Sequence, residues 1–301
     1  MGDIDRYDAD LDRIVQESFR VEPPDVLYHY TTWAGAEGIL SSRQFRFTAH
    51  DCTNDRAELI SADHVVIEVA NALRAKATGS KAKLLDLLLT DYSRAKTELG
   101  PAYLACFSQA RNSDRQWEMY AEGGRGLCLG VRVLKHESMP QNQNVGISLL
   151  RVDYSEESWR ERMMTGWGAV FEQLEAFQPN NDREFRRALE LALNAMYRIG
   201  SFAEITAKKS QWSGEEEWRQ VAFKRKGVVI QPAERQSTRG IVRYLQLSVR
   251  RDDKSLAVDE IIMGPKQDLD SAKSKLQRIL TDVGYPEAGQ EPPRITVAKA
   301  G

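Results

Sequence analysis

The sequence predicts an α+β protein, in which strands lie toward both ends of the chain and a long helical block is inserted between them. Segments rich in β-branched and aromatic residues occur at 26–30, 102–108, 127–133 and 147–153. The stretch 156–205 instead carries its apolar residues at helical spacing. These elements do not alternate as regular strand–helix–strand units, so we expect a mixed or antiparallel central sheet.

The other elements follow from periodicity and from turn residues. We expect helices over 3–20, 33–41, 56–77, 82–97, 114–121 and 267–283, and strands around 45–47, 217–223, 227–231, 241–249, 256–263 and 294–298. This order predicts three parts. They are an N-terminal helical extension (1–25), an α+β core (26–266) with a helical insertion at about 156–205, and a C-terminal helix and short strand (267–301) that pack on the core.

Composition excludes several classes of protein. Hydrophobic residues make up 42% of the 301 positions and charged residues 29%, which is typical of a chain with a real core. The formal net charge of -2 provides no general attraction to nucleic acid or to an anionic membrane. The acidic N-terminus has no apolar signal region and no apolar run approaches the roughly 20 residues of a membrane span. We therefore expect a cytoplasmic protein with no membrane partner.

Cysteine and histidine spacing predicts no metal site. The three cysteines, Cys52, Cys106 and Cys128, include no CxxC pair, so neither a disulfide framework nor a zinc ribbon is indicated. We expect Cys106 and Cys128 to be inert thiols of the core. His50, Asp51 and Cys52 are metal-type residues, but ligands adjacent in sequence converge poorly on one ion.

The most informative segment is the strand-to-helix junction that carries His29, Tyr30 and Thr31. Alternation puts His29 on one face of the strand and its tyrosine neighbours on the other. A strand histidine followed by a hydroxyl at a helix N-terminus suits the binding of a nucleotide ribose or phosphate. The alternative is a satisfied histidine within a tyrosine-rich core strand.

Two further segments carry candidate side chains. Trp117 and Tyr120 share one face of a short helix and form either an aromatic wall or a core plug. Glu215 and Glu217 share one face at the entry of a strand, where carboxylates can hold sugar hydroxyls and stabilise a developing cation. The alternative for the glutamates is a solvated acidic turn among lysines and arginines.

Taken in order, these segments resemble a bacterial family, the domain of unknown function 2971. The resemblance covers roughly 26–266 and rests on a series of short motifs, namely Tyr28–Thr31, Asn54–Glu58, Cys106–Ser108, Trp117–Tyr120, Gly124–Gly130, Glu215–Arg219 and Ile261–Lys266. The opening motif is in turn similar to the start of ADP-ribosyltransferase folds, where a strand histidine precedes a helix and a later strand carries a catalytic carboxylate. That likeness implies a mixed or antiparallel sheet of the ADP-ribosyltransferase type.

The likeness also implies roles for individual residues, with NAD as the substrate and no metal. His29 would bind the adenosine-side ribose, and Thr31 would support the histidine strand or bind the nicotinamide-side ribose. Tyr30, Trp117 or Tyr120 would stack on the nicotinamide ring. Glu217, or else Glu215, would hold the ribose 2′-hydroxyl and stabilise the oxocarbenium-like transition state. Arg219 would contact the pyrophosphate or only pair with a glutamate.

Three hypotheses about function follow. The first is NAD-dependent ADP-ribosyl transfer or NAD glycohydrolysis, as in a bacterial toxin or phage-defence effector. The second is nucleic-acid binding or modification, through basic residues near 206–226 and 235–251 interleaved with Trp212, Trp218 and Tyr244. The third is a catalytically silent interaction module. The acceptor, the oligomeric state and the biological pathway are left open by the sequence.

Overall fold

A computed structural model describes residues 3–53, 56–99, 101–133, 145–224, 231–237, 240–248, 258–286 and 291–299. Its helices are α1 (Asp3–Ser18), α2 (Trp33–Ser42), α3 (Arg56–Arg74), α4 (Gly79–Leu99), α5 (Asp114–Tyr120), α6 (Glu156–Ala176), α7 (Asp182–Thr206) and α8 (Leu269–Asp282). Its strands are β1 (Val26–Thr31), β2 (Gln44–Ala49), β3 (Tyr103–Ser108), β4 (Leu127–Arg132), β5 (Val145–Arg151), β6 (Glu217–Lys224), β7 (Ala233–Ser237), β8 (Gly240–Ser248), β9 (Val258–Met263) and β10 (Arg294–Val297). Helices and strands therefore form an α+β protein, as predicted.

The chain folds into two compact units. One comprises residues 1–21, 53–101 and 150–210 and is helical, and the other comprises residues 22–52, 102–149 and 211–301 and is built on the sheet. The predicted insertion at 156–205 lies in the helical unit. That unit also contains α1, which the sequence suggested as a separate extension.

The helical unit is held together by the apolar stripe of α7 and by the helices packed against it. Leu189, Ala192, Met196 and Ile199 recur at helical spacing and are buried. The indole Nε1 of Trp167, in α6, donates to the carbonyl of Met196 at 3.0 Å, which joins the two helices deep in the unit. Asn181 caps α7 by accepting from the Glu184 N–H at 3.0 Å.

The sheet is open and mostly antiparallel. Its strands follow the order β10-β9-β4-β1-β3-β2-β8-β7, with β6 paired to β3 and β5 paired to β6. Strands β9 and β10 pair in parallel. Strand pairing therefore links elements far apart in sequence, which is why the order could not be read from local patterns.

Strand β3 is the branch point of this sheet. One of its edges pairs with β6 along the whole strand, from Tyr103 to Ser108. Its other edge is shared, because β1 pairs with it at Ser108 and β2 pairs with it at Tyr103 and Leu104. Strands β1 and β2 thus leave β3 at opposite ends and diverge beside residues 105–107.

A few local features differ from the predictions made from the sequence or lie outside the described residues. Strand β7 was not predicted, because its sequence (Ala-Glu-Arg-Gln-Ser) is polar and almost all of it is exposed beside β8. Most of the strand expected at 227–231 lies outside the described residues.

Of the two thiols expected in the core, Cys128 is buried, but Cys106 is exposed, so the prediction for Cys106 was wrong. Strand alternation gives a side chain a face, but not what covers that face.

The junction that follows β1 depends on glycines, which allow close backbone contact. A Cβ added at Gly126 would lie 2.4 Å from the Thr31 carbonyl oxygen, and one added at Gly264 would lie 2.2 Å from the Gly124 carbonyl oxygen. The Gly264 N–H donates to the Gly126 carbonyl at 3.1 Å. The loop before β4 and the end of β9 therefore approach at a distance that only glycine permits.

We predict that Gly126→Ala lowers the free energy of unfolding by about 1–3 kcal/mol, because the added methyl meets rigid backbone. The matched control is Gly38→Ala within α2, where the added Cβ meets nothing within 4 Å. That control should be neutral or stabilising by about 0.5–1 kcal/mol. Chemical unfolding of both variants measures the difference. Equal stability of the two variants would contradict the described contact.

Candidate functional site

His29 is held in one orientation at the branch of the sheet. It lies on β1, and its Nδ1 is 2.9 Å from the carbonyl oxygen of Cys106 in the middle of β3. A carbonyl oxygen only accepts hydrogen bonds, so the proton is assigned to Nδ1 of the neutral ring. The other nitrogen, Nε2, is then a hydrogen-bond acceptor. Where β1 and β2 have separated, the imidazole N–H takes the place of the backbone N–H that a neighbouring strand would offer to this carbonyl.

Two phenylalanine rings pack against His29, which is half-buried. Phe45 of β2 meets the imidazole edge-on at 5.1 Å between ring centroids, and Phe107 of β3 lies at 5.6 Å. Desolvation by this burial lowers the pKa of His29 below its ordinary value, against the opposing effect of the Cys106 carbonyl. The ring is therefore neutral at pH 7. No described residue hydrogen-bonds to its Nε2.

Thr31 adds a hydroxyl on the same face of β1, two positions after His29. Gly35 makes room for it, since a Cβ there would lie 2.2 Å from Thr31 Oγ1. The next residue, Thr32, caps α2 by accepting from the Gly35 N–H at 3.0 Å. Thr31 Oγ1 has no hydrogen-bond partner in the described part of the chain. His29 and Thr31 therefore place an acceptor and a buried hydroxyl on one face of β1.

Glu217 and Arg219 form a buried, two-pronged ion pair on β6. Arg219 Nε donates to Glu217 Oε1 at 2.8 Å and Nη2 donates to Oε2 at 3.1 Å. Both side chains are less than a tenth exposed. Each oxygen of Glu217 thus already accepts from one guanidinium, which matches the second of the two roles expected for Arg219.

Glu215 is buried beside the start of β6. Its carboxylate lies 3.5 Å from the Tyr120 hydroxyl and 3.7 Å from Arg115 Nε. Its backbone carbonyl accepts from Ser108 Oγ at 2.6 Å and from Gln116 Nε2 at 3.2 Å. The residue therefore anchors α5 to the strand that follows it.

Strand register puts these glutamates and His29 on different faces of the sheet. Tyr28 is opposite Ser108, and Ser108 is opposite Glu217, so these three share one face. His29 touches Phe107, which is opposite Trp218 on the other face. The structure therefore places His29 and Glu217 on opposite faces of the sheet, whereas Thr31 lies on the same face of β1 as His29.

The predicted aromatic wall divides into two buried rings and one exposed ring. Tyr30 and Trp117 are buried against each other, with ring centroids 4.9 Å apart. The Tyr30 hydroxyl donates to the Ala110 carbonyl at 2.7 Å and accepts from the Ser113 N–H at 3.1 Å. Neither ring is accessible for stacking on a ligand. Tyr120 is exposed, on the same side as Glu215.

Three features near β6 and β3 were passed over by sequence reasoning. Glu216 is exposed, has a left-handed backbone with φ of 45°, and has no recorded partner for its carboxylate among the described residues. Gln220 is a buried amide on the face of Trp218. Phe45 and Phe107 fix the imidazole. Alternation from Trp218 places Gln220 on the same face of β6, but the sequence does not give the register of β6 relative to β1.

The described residues also bear on several other predictions from the sequence. Trp218, expected as a nucleic-acid contact, is buried, and Trp212 lies under the Arg115 guanidinium at 4.2 Å. Tyr244 is similarly covered by Arg46 at 5.3 Å. Asn54 and Asp55 lie outside the described residues. Within the described ranges, no cluster of three metal-type side chains occurs, and no described helix is both long and apolar enough to cross a bilayer.

Comparison with known families supports the motif series. Residues 116–220 match the family model described as Protein of unknown function (DUF2971). This part of the chain is therefore similar to that family. The matched region contains α5, β4, β5 and the start of β6, with Trp117, Glu215 and Glu217, and it begins after His29. Neither the curated proteins nor the solved structures contain a match to the chain.

We predict that the His29 imidazole titrates below its ordinary pKa of about 6.5 and is the Nδ1–H tautomer at pH 7. Because the unfolded state then takes up the proton first, the free energy of unfolding should decrease as the pH falls below about 6.5. Nitrogen-15 NMR of the imidazole measures both properties. His29→Phe should lack this part of the pH dependence, and an identical pH dependence would contradict the assignment.

We predict that Arg219→Met destabilises the protein by about 3–5 kcal/mol, because it leaves the Glu217 carboxylate buried without its main partner. The double variant Glu217→Gln with Arg219→Met should recover much of that loss. Chemical unfolding of the single and double variants gives the coupling between them. Additive losses would show that the pair does not act as a unit.

Proposed function

We propose that this protein binds NAD and breaks its nicotinamide–ribose bond, transferring ADP-ribose to water or to another acceptor. The observation that carries the proposal is the pair formed by His29 and Thr31. A neutral imidazole with a fixed acceptor nitrogen shares one face of β1 with a hydroxyl, and neither atom has a partner among the described residues.

This pair favours a ribose over a phosphate. A neutral Nε2 acceptor attracts a hydroxyl hydrogen and repels the oxygens of an anion. The 2′- and 3′-hydroxyls of a ribose are adjacent, and each can donate and accept. The Thr31 hydroxyl can exchange both kinds of hydrogen bond, so it complements a second sugar hydroxyl. A ribose therefore satisfies both groups at once.

Glu216 is the carboxylate that best fits the chemistry on this side of the sheet. It immediately precedes β6, the strand that carries Trp218 and Gln220 on the His29 face, and its side chain is exposed. Strands β1 and β6 flank β3, so their separation is two strand spacings, or about 10 Å. A dinucleotide is long enough to span that distance. The left-handed backbone of Glu216 is the kind of local strain found at functional sites.

The reaction that we propose needs few protein groups. The bond between the ribose anomeric carbon and the nicotinamide nitrogen breaks, and its electron pair leaves with neutral nicotinamide. The Glu216 carboxylate accepts a hydrogen bond from the ribose 2′-hydroxyl and stabilises the positive charge that develops on the sugar. Water or an acceptor nucleophile then bonds to the anomeric carbon and releases its proton to solvent.

The layout of ADP-ribosyltransferase folds, from which this reaction class was inferred, is compatible with the proposal. Such folds place a strand histidine before a helix and a carboxylate at a later strand, and here β1 precedes α2 while Glu216 precedes β6. The likeness is one of layout, so it supports the reaction class more than the acceptor. A toxin or phage-defence role would use the same chemistry on a host or phage target.

We predict that the purified protein releases nicotinamide from NAD, and that His29→Ala and Glu216→Gln each reduce the rate at least about a hundredfold, as loss of an electrostatic stabiliser does. Chromatographic measurement of nicotinamide gives the rates. The control is Glu118→Gln, an exposed carboxylate paired with Lys266 on the face opposite to His29, which should retain the wild-type rate.

Two results would overturn this proposal. One is the absence of both NAD binding and nicotinamide release by the wild-type protein. The other is release that survives His29→Ala but is lost in Glu217→Gln without loss of stability, since that outcome assigns the chemistry to the other face of the sheet.

A further inference from the structure

Gln220 carries an unexplained polar group in the interior of the sheet unit. Its side chain is 7% exposed, and its Oε1 is buried with no hydrogen-bond partner among the described residues. Leaving a buried acceptor unpaired costs roughly 1–3 kcal/mol. Buried polar groups are nearly always paired, so such an exception requires an explanation. A ligand group that completes the pairing is one.

Register puts Gln220 on the same face as His29. It lies opposite Ala105 of β3, and the neighbouring pair on that face is Phe107 with Trp218. Phe107 in turn contacts the His29 imidazole. The His29 face of β3 therefore carries Phe107 and Ala105 in succession, with Gln220 one strand spacing beyond Ala105.

Small residues surround the amide on this face. Ala105 is its partner across the strands, and Ala222 follows it by two positions on β6. Both alanines are buried, so the neighbours of the amide on this face are small and covered. Glu216 immediately precedes β6, four positions earlier. The amide and the imidazole thus lie on one face of the sheet.

A primary amide has a specific chemical complement. It offers one acceptor oxygen and one donor nitrogen in a plane, and it pairs best with another primary amide, which offers the same groups in reverse order. Rotation about the last side-chain bond exchanges the two ends, so the unpaired acceptor can be turned toward a ligand. Among the parts of NAD, the nicotinamide carboxamide is the primary amide.

We propose that Gln220 pairs with the nicotinamide carboxamide and makes the site select NAD over dinucleotides that lack this amide. This inference rests on the proposed function, because it assumes that NAD occupies the His29 face. Gln220 acts here as a specificity residue, and it takes no part in bond cleavage.

The test compares three ligands by isothermal titration calorimetry: NAD, ADP-ribose and nicotinic acid adenine dinucleotide. Wild-type protein should bind NAD about tenfold more tightly than the acid analogue, which replaces the donor amide by a carboxylate. In Gln220→Met, which keeps the shape of the side chain, affinity for NAD should fall about tenfold while affinity for ADP-ribose stays within about twofold. Gln246→Met, at an exposed position of β8, is the matched control and should alter none of the affinities.

Thermal unfolding provides a readout that does not depend on ligand. Replacing an unpaired buried acceptor by an apolar side chain should leave the Tm of the free protein unchanged or raise it. A clear fall in Tm would mean that Gln220 is paired within the fold, and it would overturn the proposal.

The possible failures are distinguishable. If wild-type protein binds neither NAD nor ADP-ribose, the proposed function fails and the role of Gln220 fails with it. If wild-type protein binds both ligands and Gln220→Met leaves the ratio of their affinities unchanged, only the role of Gln220 fails. An equal loss for both ligands in Gln220→Met would assign the residue a structural role and would also overturn the proposal.

Discussion

The hydrogen-bonded register of β3 is the constraint on which the candidate site depends. This strand pairs with β6 along one edge and is shared by β1 and β2 along the other. Because side chains alternate, one register value decides which residues of β1 and β6 can share a face. This register places His29, with Thr31 on the same strand, on the face of Gln220. It places Tyr28 on the opposite face, with Ser108 and Glu217.

The branch at β3 also determines the chemistry of His29. Where β1 and β2 diverge, a strand carbonyl is met by the imidazole, which fixes the tautomer of the ring. Two phenylalanines then desolvate the ring and keep it neutral, since burial disfavours the charged form. The same imidazole on an exposed strand would be free to rotate and to titrate near its ordinary pKa. Orientation and protonation state thus share one structural cause.

Much of the fold was predictable from the sequence, because local patterns of apolar residues and glycines determine most of its helices and strands. The period of α7, the alternation of β1 and the glycines before β4 each have a short-range physical cause, and the helices and most strands formed near their predicted bounds. Strand β7 was not predicted because an exposed edge strand with four polar residues among five carries no alternation signal. The exposure of Cys106 was not predicted, because which face of a strand is covered by other elements does not depend on the local sequence.

The candidate site was predictable only in part, for a reason of the same kind. His29 and Thr31 were found from one strand and one helix start. Glu215 and Glu217 were chosen because they share a face. Their relation to His29 depends on two strand pairings, Tyr28 with Ser108 and Ser108 with Glu217, which span 80 and 109 residues and which no local pattern encodes. The burial of Tyr30 and Trp117 is likewise set by packing of α5 on the sheet. The family match covers residues 116–220 and carries no information on that pairing.

The most direct test of this account is a crystal structure of the protein soaked with NAD or ADP-ribose. The account predicts a ribose hydroxyl within about 3 Å of His29 Nε2, with the sugar on the face that carries Thr31 and Gln220. A dinucleotide bound on the opposite face, against Glu217 and Tyr120, with Nε2 of His29 still without a partner, would contradict it.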